Sequence, residues 1–162
     1  MTRQICIVFG AGLLRPAPGT WGSALAIGLG LVILRYLGFP FLVLATAAVT
    51  ALGFWAVSRE LAATPDADPS EIVIDEVAGQ WLTLLFPAAA FWARGFEGWL
   101  PWPAPVAAFL FFRLFDIWKP WLVGRADARP GWQGVMLDDL WAGVFAGVAT
   151  LAAAGLAHGL LM

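Results

Sequence analysis

Long apolar runs alternate with short polar breaks along this chain, and each run has about the length needed to cross a bilayer as a helix, roughly 20 residues. The runs extend from about Trp21 to Leu37, Phe41 to Ser58, Ile72 or Glu76 to Trp92, Pro105 to Val123, and Asp138 to His158. They predict an all-α protein, a compact bundle of about five membrane-spanning helices. Residues 3–14 (RQICIVFGAGLL) are too short to span and read as a short N-terminal interfacial or re-entrant helix. Arg15-Pro16-Ala17-Pro18-Gly19-Thr20 is a rigid turn, because two prolines forbid regular helix. Gly38-Phe39-Pro40 is a tight hairpin. The polar segment 59–70, the Pro- and Trp-rich segment 94–105 and the Gly/Arg/Asp-rich segment 124–137 read as loops. Pro87 is expected to kink the third span, and Pro120 to break the fourth near its end.

Composition narrows this picture. Of 162 residues, 61% are hydrophobic and 12% charged, with mean hydropathy +0.82. A soluble domain carries about a quarter of its residues as charges, so the chain reads as one integral-membrane domain over residues 1–162. A net charge of −2 and the lack of a basic tail argue against a nucleic-acid partner. Cys6 is the sole cysteine and His158 the sole histidine, which excludes an internal disulfide and disfavours a thiolate or zinc centre. His158 follows an Ala/Gly/Leu run and reads as interfacial. Residues 1–14 lack a clear small-residue cleavage site, so no signal peptide is expected.

Charge bias then orients the bundle. With the N-terminus inside, the cytoplasmic side receives Arg3, Arg15, Arg59, Lys119, Arg125 and Arg129, and the outside receives Arg35 and Arg94. This arrangement brings five carboxylates to one face. Asp75 and Glu76 open span three, Asp116 lies near the end of span four at a depth of roughly 10 Å, and Asp138 and Asp139 open span five. An Asp at mid-membrane costs roughly 2.5–3.5 kcal/mol. Such groups must therefore sit at the interface, pair, or hold a metal.

A structural explanation competes for each group. Acidic residues at helix N-termini cap free N–H groups and favour the macrodipole, which accounts for one pair of adjacent carboxylates as readily as a site does. Two pairs plus Asp116 favour a hard cation bound through oxygen, Mg²⁺ or Mn²⁺. Arg113, Asp116 and Lys119 recur every three residues and share one helix face. They form either a ladder of ion pairs or a phosphate-binding edge beside the metal, and charges this deep favour the second. The glycines and hydroxyls from Gly10 to Ser23 precede a helix N-terminus, where anions bind readily. Small residues Gly22, Ala26, Gly30, Gly143 and Gly147 allow close helix approach, within the bundle or in a homodimer. The ten tryptophans fall mostly near span ends, as an interfacial belt does.

Four segments together, GAGLLRPAPGTWGS (10–23), DPSEIVIDEVAGQW (68–81), FRLFDIWKPW (112–121) and GVMLDDLWAGV (134–144), resemble the phosphatidylglycerophosphatase A family over nearly the whole chain. The resemblance implies a helical, Mg²⁺-dependent phosphatase of the bacterial inner membrane, and the charge bias puts its N-terminus on the cytoplasmic side. It would hydrolyse phosphatidylglycerophosphate to phosphatidylglycerol and phosphate. One departure stands out: members often read Leu-Pro-Lys where this chain has Leu14-Arg15-Pro16, which moves the base one position earlier.

The residue reading fits that chemistry. Asp75, Glu76, Asp138 and Asp139 are the expected metal ligands, and Asp116, Asp75 and Asp138 the expected catalytic groups, with Asp116 helping the metal or acting as base. Arg113, Lys119, Thr20, Ser23 and Arg15 would bind the substrate phosphate, and a water or an Asp would attack in line. The chain has no Cys-x5-Arg loop, too few histidines for a His-dependent lipid phosphatase, and no D-x2-D-G-x2-A-R segment of a CDP-alcohol phosphotransferase. A small transporter would spread its charges through the membrane depth, and a non-catalytic lipid-binding protein would use its acids as caps alone.

Overall fold

Prolines and glycines divide the chain into helices, and the divisions fall close to the predicted ones. The computed structural model describes residues 1–62, 70–96 and 98–161, with side chains described through residue 157. The polar segment's residues 63–69 and the His158 side chain, read above as loop and interfacial, lie outside this range. The elements are α1 (Thr2–Cys6), a 3-10 helix (Val8–Leu13), α2 (Pro18–Tyr36), α3 (Phe39–Glu60), α4 (Ile74–Trp92), α5 (Ala104–Trp118), α6 (Leu122–Asp127) and α7 (Trp132–Leu161). The all-helical bundle expected from the apolar runs is the architecture observed.

Helix α4 is the axis. It packs against α2, α3, α5 and α7, and most of its residues from Ile74 to Ala88 are buried. Its small and large faces match its neighbours. Gly30 of α2 leaves room for Trp81 and Leu84, and the Trp81 indole N–H donates to the Ala26 carbonyl at 2.7 Å. Gly143 of α7 lies against the backbone of Gly79, and Gly147 against the Phe86 ring. The small residues are thus consumed inside the chain. The outer surfaces of α2, α3 and α7 expose Leu25, Leu29, Val32, Leu44, Leu52, Val148 and Leu156, which are unfavourable in water and suited to lipid.

The span count changes. Three helices, α2, α3 and residues Trp132–Ala157 of α7, are long and apolar enough to cross a membrane. Helix α5 has 15 residues, about 22 Å at 1.5 Å per residue, which is short of the hydrocarbon thickness. Helix α4 has 19 residues but carries Asp75, Glu76 and Gln80. Its neighbours shield it, so it need not be apolar all round.

Three boundaries also differ from expectation. The fourth span stops at Trp118 instead of Val123, because Lys119 takes a left-handed conformation (φ 49°, ψ 53°) and Pro120 cannot continue the helix. Asp116 therefore lies two residues from the helix end, not seven, about 3 Å along the helix axis instead of about 10 Å. The loop expected over 124–137 is in part helical, as α6 and the first turns of α7. Helix α7 starts at Trp132, six residues before Asp138. Pro87 is accommodated within α4, which continues to Trp92.

The N-terminal segment folds back onto the entrance of α4. The Val73 N–H donates to the Cys6 carbonyl at 2.9 Å, Arg3 pairs with Glu71 at 2.8 Å, and Gly12 abuts the Glu71 backbone. The starts of α2, α4 and α7 and the ends of α3 and α5 consequently meet at one end of the bundle.

Candidate active site

At that end lies a cleft of about 490 Å³, lined by residues from α2, α4, α5, α6, α7 and their connections. Its floor is set by the crossing of α4 and α7. Asp75-Glu76 and Asp138-Asp139 each precede an Ala-Gly pair, Ala78-Gly79 and Ala142-Gly143. A Cβ on Gly79 would meet the Asp139 carbonyl oxygen at 2.5 Å, and one on Gly143 would meet the Gly79 carbonyl oxygen at 2.5 Å. Glycine at both positions lets the backbones touch, and this contact brings the two acidic pairs together.

Helix capping does not account for Asp138 and Asp139. They lie nearly two turns inside α7, whose first turn holds no acid. Asp75 and Glu76 do lie in the first turn of α4, but Asp75 is 8% exposed and faces inward. The aspartates share a local device: Asp75 accepts from the Glu76 N–H and Asp138 from the Asp139 N–H, both at 2.9 Å. Among the described residues, no cation pairs with Asp75 or Asp139, although Asp139 is 3% exposed.

Among the described residues, Asp116, Asp138 and Asp139 form an oxygen cluster, with one carboxylate oxygen from each lying within 4.8 Å of the others. This trio differs from the expected ligand set, with Asp116 in the place of Asp75 and Glu76. Glu76 is engaged elsewhere. Ser23 Oγ donates to it at 2.9 Å, Arg113 lies 3.3 Å away, and Gly19 and Gly22 of α2 abut it. Arg113 bridges Glu76 and Asp116, reaching the latter at 2.7 Å. It is therefore a strut between α4 and α5, with its Nε buried and unpartnered.

Lys119 departs from the expected ladder. The left-handed turn carries it off the α5 face, and its ammonium donates to Asp138 at 2.8 Å and to Asp127 of α6. Burial alone pushes the ammonium pKa down, but the bonds to Asp127 and Asp138 outweigh it and hold the group above the ordinary lysine value. Gly124 makes this possible, because α6 packs directly on the Lys119 carbonyl.

Thr20 lines the cleft. Ser23 does not, being fully buried against Glu76. Arg15 is exposed and lines a separate smaller cavity with Leu13, Pro16, Ser70 and Glu71. Ser70, Asp127 and Arg129 also line the cleft, although the sequence marks none of them as a site residue. Their positions depend on α6 and on how the N-terminal segment docks, which no local pattern encodes.

The donor chemistry fits a hard divalent cation. Six carboxylates (Asp75, Glu76, Asp116, Asp127, Asp138 and Asp139) and three cations (Arg113, Lys119 and Arg129) line the cleft, and the uncompensated negative charge would repel a phosphate unless a metal offset it. Asp116, Asp138 and Asp139 could hold such an ion. Cys6, by contrast, is no ligand. Burial, followed by the charges of Glu60 and Asp75, raises its thiol to about 11. At pH 7.5 the native protein is expected to resist maleimide, and SDS to expose Cys6 to quantitative labelling by mass spectrometry. Labelling without denaturant would mean that α1 does not dock as described.

A profile described as PgpA: Phosphatidylglycerophosphatase A matches residues 4–154. The phosphatidylglycerophosphatase A of Haemophilus influenzae is 33% identical over 149 residues, covering 91% of this chain and 85% of that protein. The Escherichia coli K12 protein of the same name is 31% identical, covering 86% and 76%. A putative phosphatidylinositol-3-phosphatase of Bacteroides thetaiotaomicron is 38% identical, covering 85% and 83%. No solved structure matches significantly. On the extent of these matches and the glycine-seated acidic cleft they encompass, the chain belongs to the phosphatidylglycerophosphatase A family.

Proposed function

We propose that this protein hydrolyses phosphatidylglycerophosphate to phosphatidylglycerol and phosphate, with Mg²⁺ as cofactor, at the cytoplasmic face of a bacterial inner membrane and with its own N-terminus inside. One observation carries the reading: three carboxylate oxygens within 4.8 Å, two cations beside them, and a cleft at the end of the bundle. The family and the relatives' names support the substrate. The basic residues at that end support the orientation.

Asp116, Asp138 and Asp139 would hold the ion, which when bound would neutralise the phosphate and polarise its oxygens. Lys119, kept charged by its carboxylates, and Arg113 flank the phosphomonoester and orient it. Asp75, which lines the cleft with no cation partner among the described residues, would take a proton from water. As that proton moves to Asp75, the water oxygen bonds to phosphorus and the glycerol oxygen leaves, protonated by solvent. Glu76 holds Arg113 in place and is kept from the reacting groups by Ser23.

Phosphate release from phosphatidylglycerophosphate in detergent micelles tests this. The protein is expected to release phosphate with Mg²⁺, lose the activity in EDTA, and regain it when Mg²⁺ is returned in excess. Release that is indifferent to EDTA would reject the metal assignment. Absence of release under all conditions would reject the substrate. The Bacteroides relative supports a second reading, phosphatidylinositol 3-phosphate, and the same assay with that lipid ranks the two by kcat/KM.

A further inference from the structure

The acidic cleft has a neighbour. A cavity of about 220 Å³ lies beside it, and the two share Pro18 and Ser70 as walls. Arg15 lines the smaller one and is exposed, with no ion pair among the described residues. Among the described residues that line it, the one acid is Glu71, which Arg3 already holds at 2.8 Å. Its charge is compensated, so among the described residues the local balance is positive. Leu13 lines the same cavity; it and the next residue, Leu14, are about half exposed, and Phe9 is 85% exposed. These are apolar side chains at the end of the bundle where a lipid's acyl chains would approach.

The two cavities thus set Leu13 and the exposed Arg15 guanidinium on one side of the shared Pro18 and Ser70, and the carboxylates on the other. Phosphatidylglycerophosphate has the same order of chemistry. Its acyl chains are followed by a phosphodiester, then a glycerol, then the phosphomonoester to be cleaved. Phosphatidylinositol 3-phosphate also places a polyol between a diester and a monoester. Phosphatidic acid does not, since its monoester is joined directly to diacylglycerol.

We propose that Arg15 and its cavity form a subsite for the substrate's phosphodiester, so that the protein selects lipids bearing a phosphomonoester and a phosphodiester separated by a polyol. This rests on the phosphatase reading above. Arg15 then acts in specificity and binding, not on the reacting atoms, through one charge-assisted contact to a diester oxygen.

The test compares three lipids, phosphatidylglycerophosphate, phosphatidylinositol 3-phosphate and phosphatidic acid, in matched micelles with Mg²⁺, for the wild type, Arg15→Ala and Arg15→Lys. Arg15→Ala is expected to lower kcat/KM for the better diester lipid relative to phosphatidic acid by about tenfold, through KM, the size of one charged hydrogen bond. Arg15→Lys is expected to restore most of that ratio. An unchanged ratio, whether both activities fall together or neither does, overturns the subsite and leaves the phosphatase reading intact. A wild type that cleaves neither diester lipid overturns both. A wild type whose kcat/KM already favours phosphatidic acid overturns the subsite alone.

Discussion

Asp139→Asn is expected to lower metal-dependent phosphate release by about two orders of magnitude or more, while making the metal-free protein harder to unfold. Asp139 is 3% exposed, belongs to the oxygen trio with Asp116 and Asp138, and has no cation partner among the described residues. Its neighbours Asp75, Asp116, Asp138 and Glu76 repel it. Without metal, that repulsion in a poorly solvated place destabilises the fold, and the isosteric amide relieves it. Sites held for function commonly carry such a stability cost. Two measurements check this: phosphate release with Mg²⁺, and thermal unfolding in EDTA. Adding Mg²⁺ is expected to raise the wild-type Tm, since a ligand that binds the native state stabilises it, and to leave the Asp139→Asn Tm nearly unmoved. Wild-type activity in the variant would remove Asp139 from the site. A lower Tm in EDTA would mean that the carboxylate makes a stabilising contact instead.

Gly79→Ala is expected to harm both fold and activity, although it alters no charged group. The added Cβ would stand 2.5 Å from the Asp139 carbonyl oxygen and 2.6 Å from the Phe112 ring. Backbone cannot yield as a flexible side chain does, so α4 and α7 must part. Overpacking of this kind costs about 1–3 kcal/mol. Parting the helices also withdraws Asp75 from Asp138 and Asp139, so kcat is expected to fall further than the Tm shift alone would explain. Gly143→Ala meets Gly79 from the other helix and is expected to act in the same way. Gly28→Ala, on the exposed side of α2 with nothing within 4 Å, is the control. It is expected to be neutral or slightly stabilising, because alanine is the better helix former. If all three variants melted and turned over alike, the close α4–α7 crossing would not be what assembles the site.

Much of the molecule is legible in its sequence. The apolar runs locate α2, α3, α4 and α7 to within a few residues at most ends. The basic residues place the acids at one end of the bundle, and the four motif segments carry the family. Legibility fails where a residue's role depends on what lies opposite it. Ser23 reads as a phosphate-binding hydroxyl, yet Glu76 occupies it at 2.9 Å. Lys119 reads as a rung on the α5 face, until a left-handed turn aims it at Asp127 and Asp138. Asp138 and Asp139 read as the opening of a span because the apolar run begins there. Helix formation is indifferent to that polarity change, and α7 begins at Trp132.

What the sequence by itself determined is the helical class, the membrane setting and the family, because these follow from hydropathy summed along the chain and from short motifs in order. Tertiary structure alone decided which carboxylate oxygens lie within 4.8 Å of one another, which carboxylates Arg113 and Lys119 bridge, and that Arg15 lines a second cavity. Those outcomes depend on helices touching at Gly79 and Gly143, a contact between positions 64 residues apart that no local pattern records.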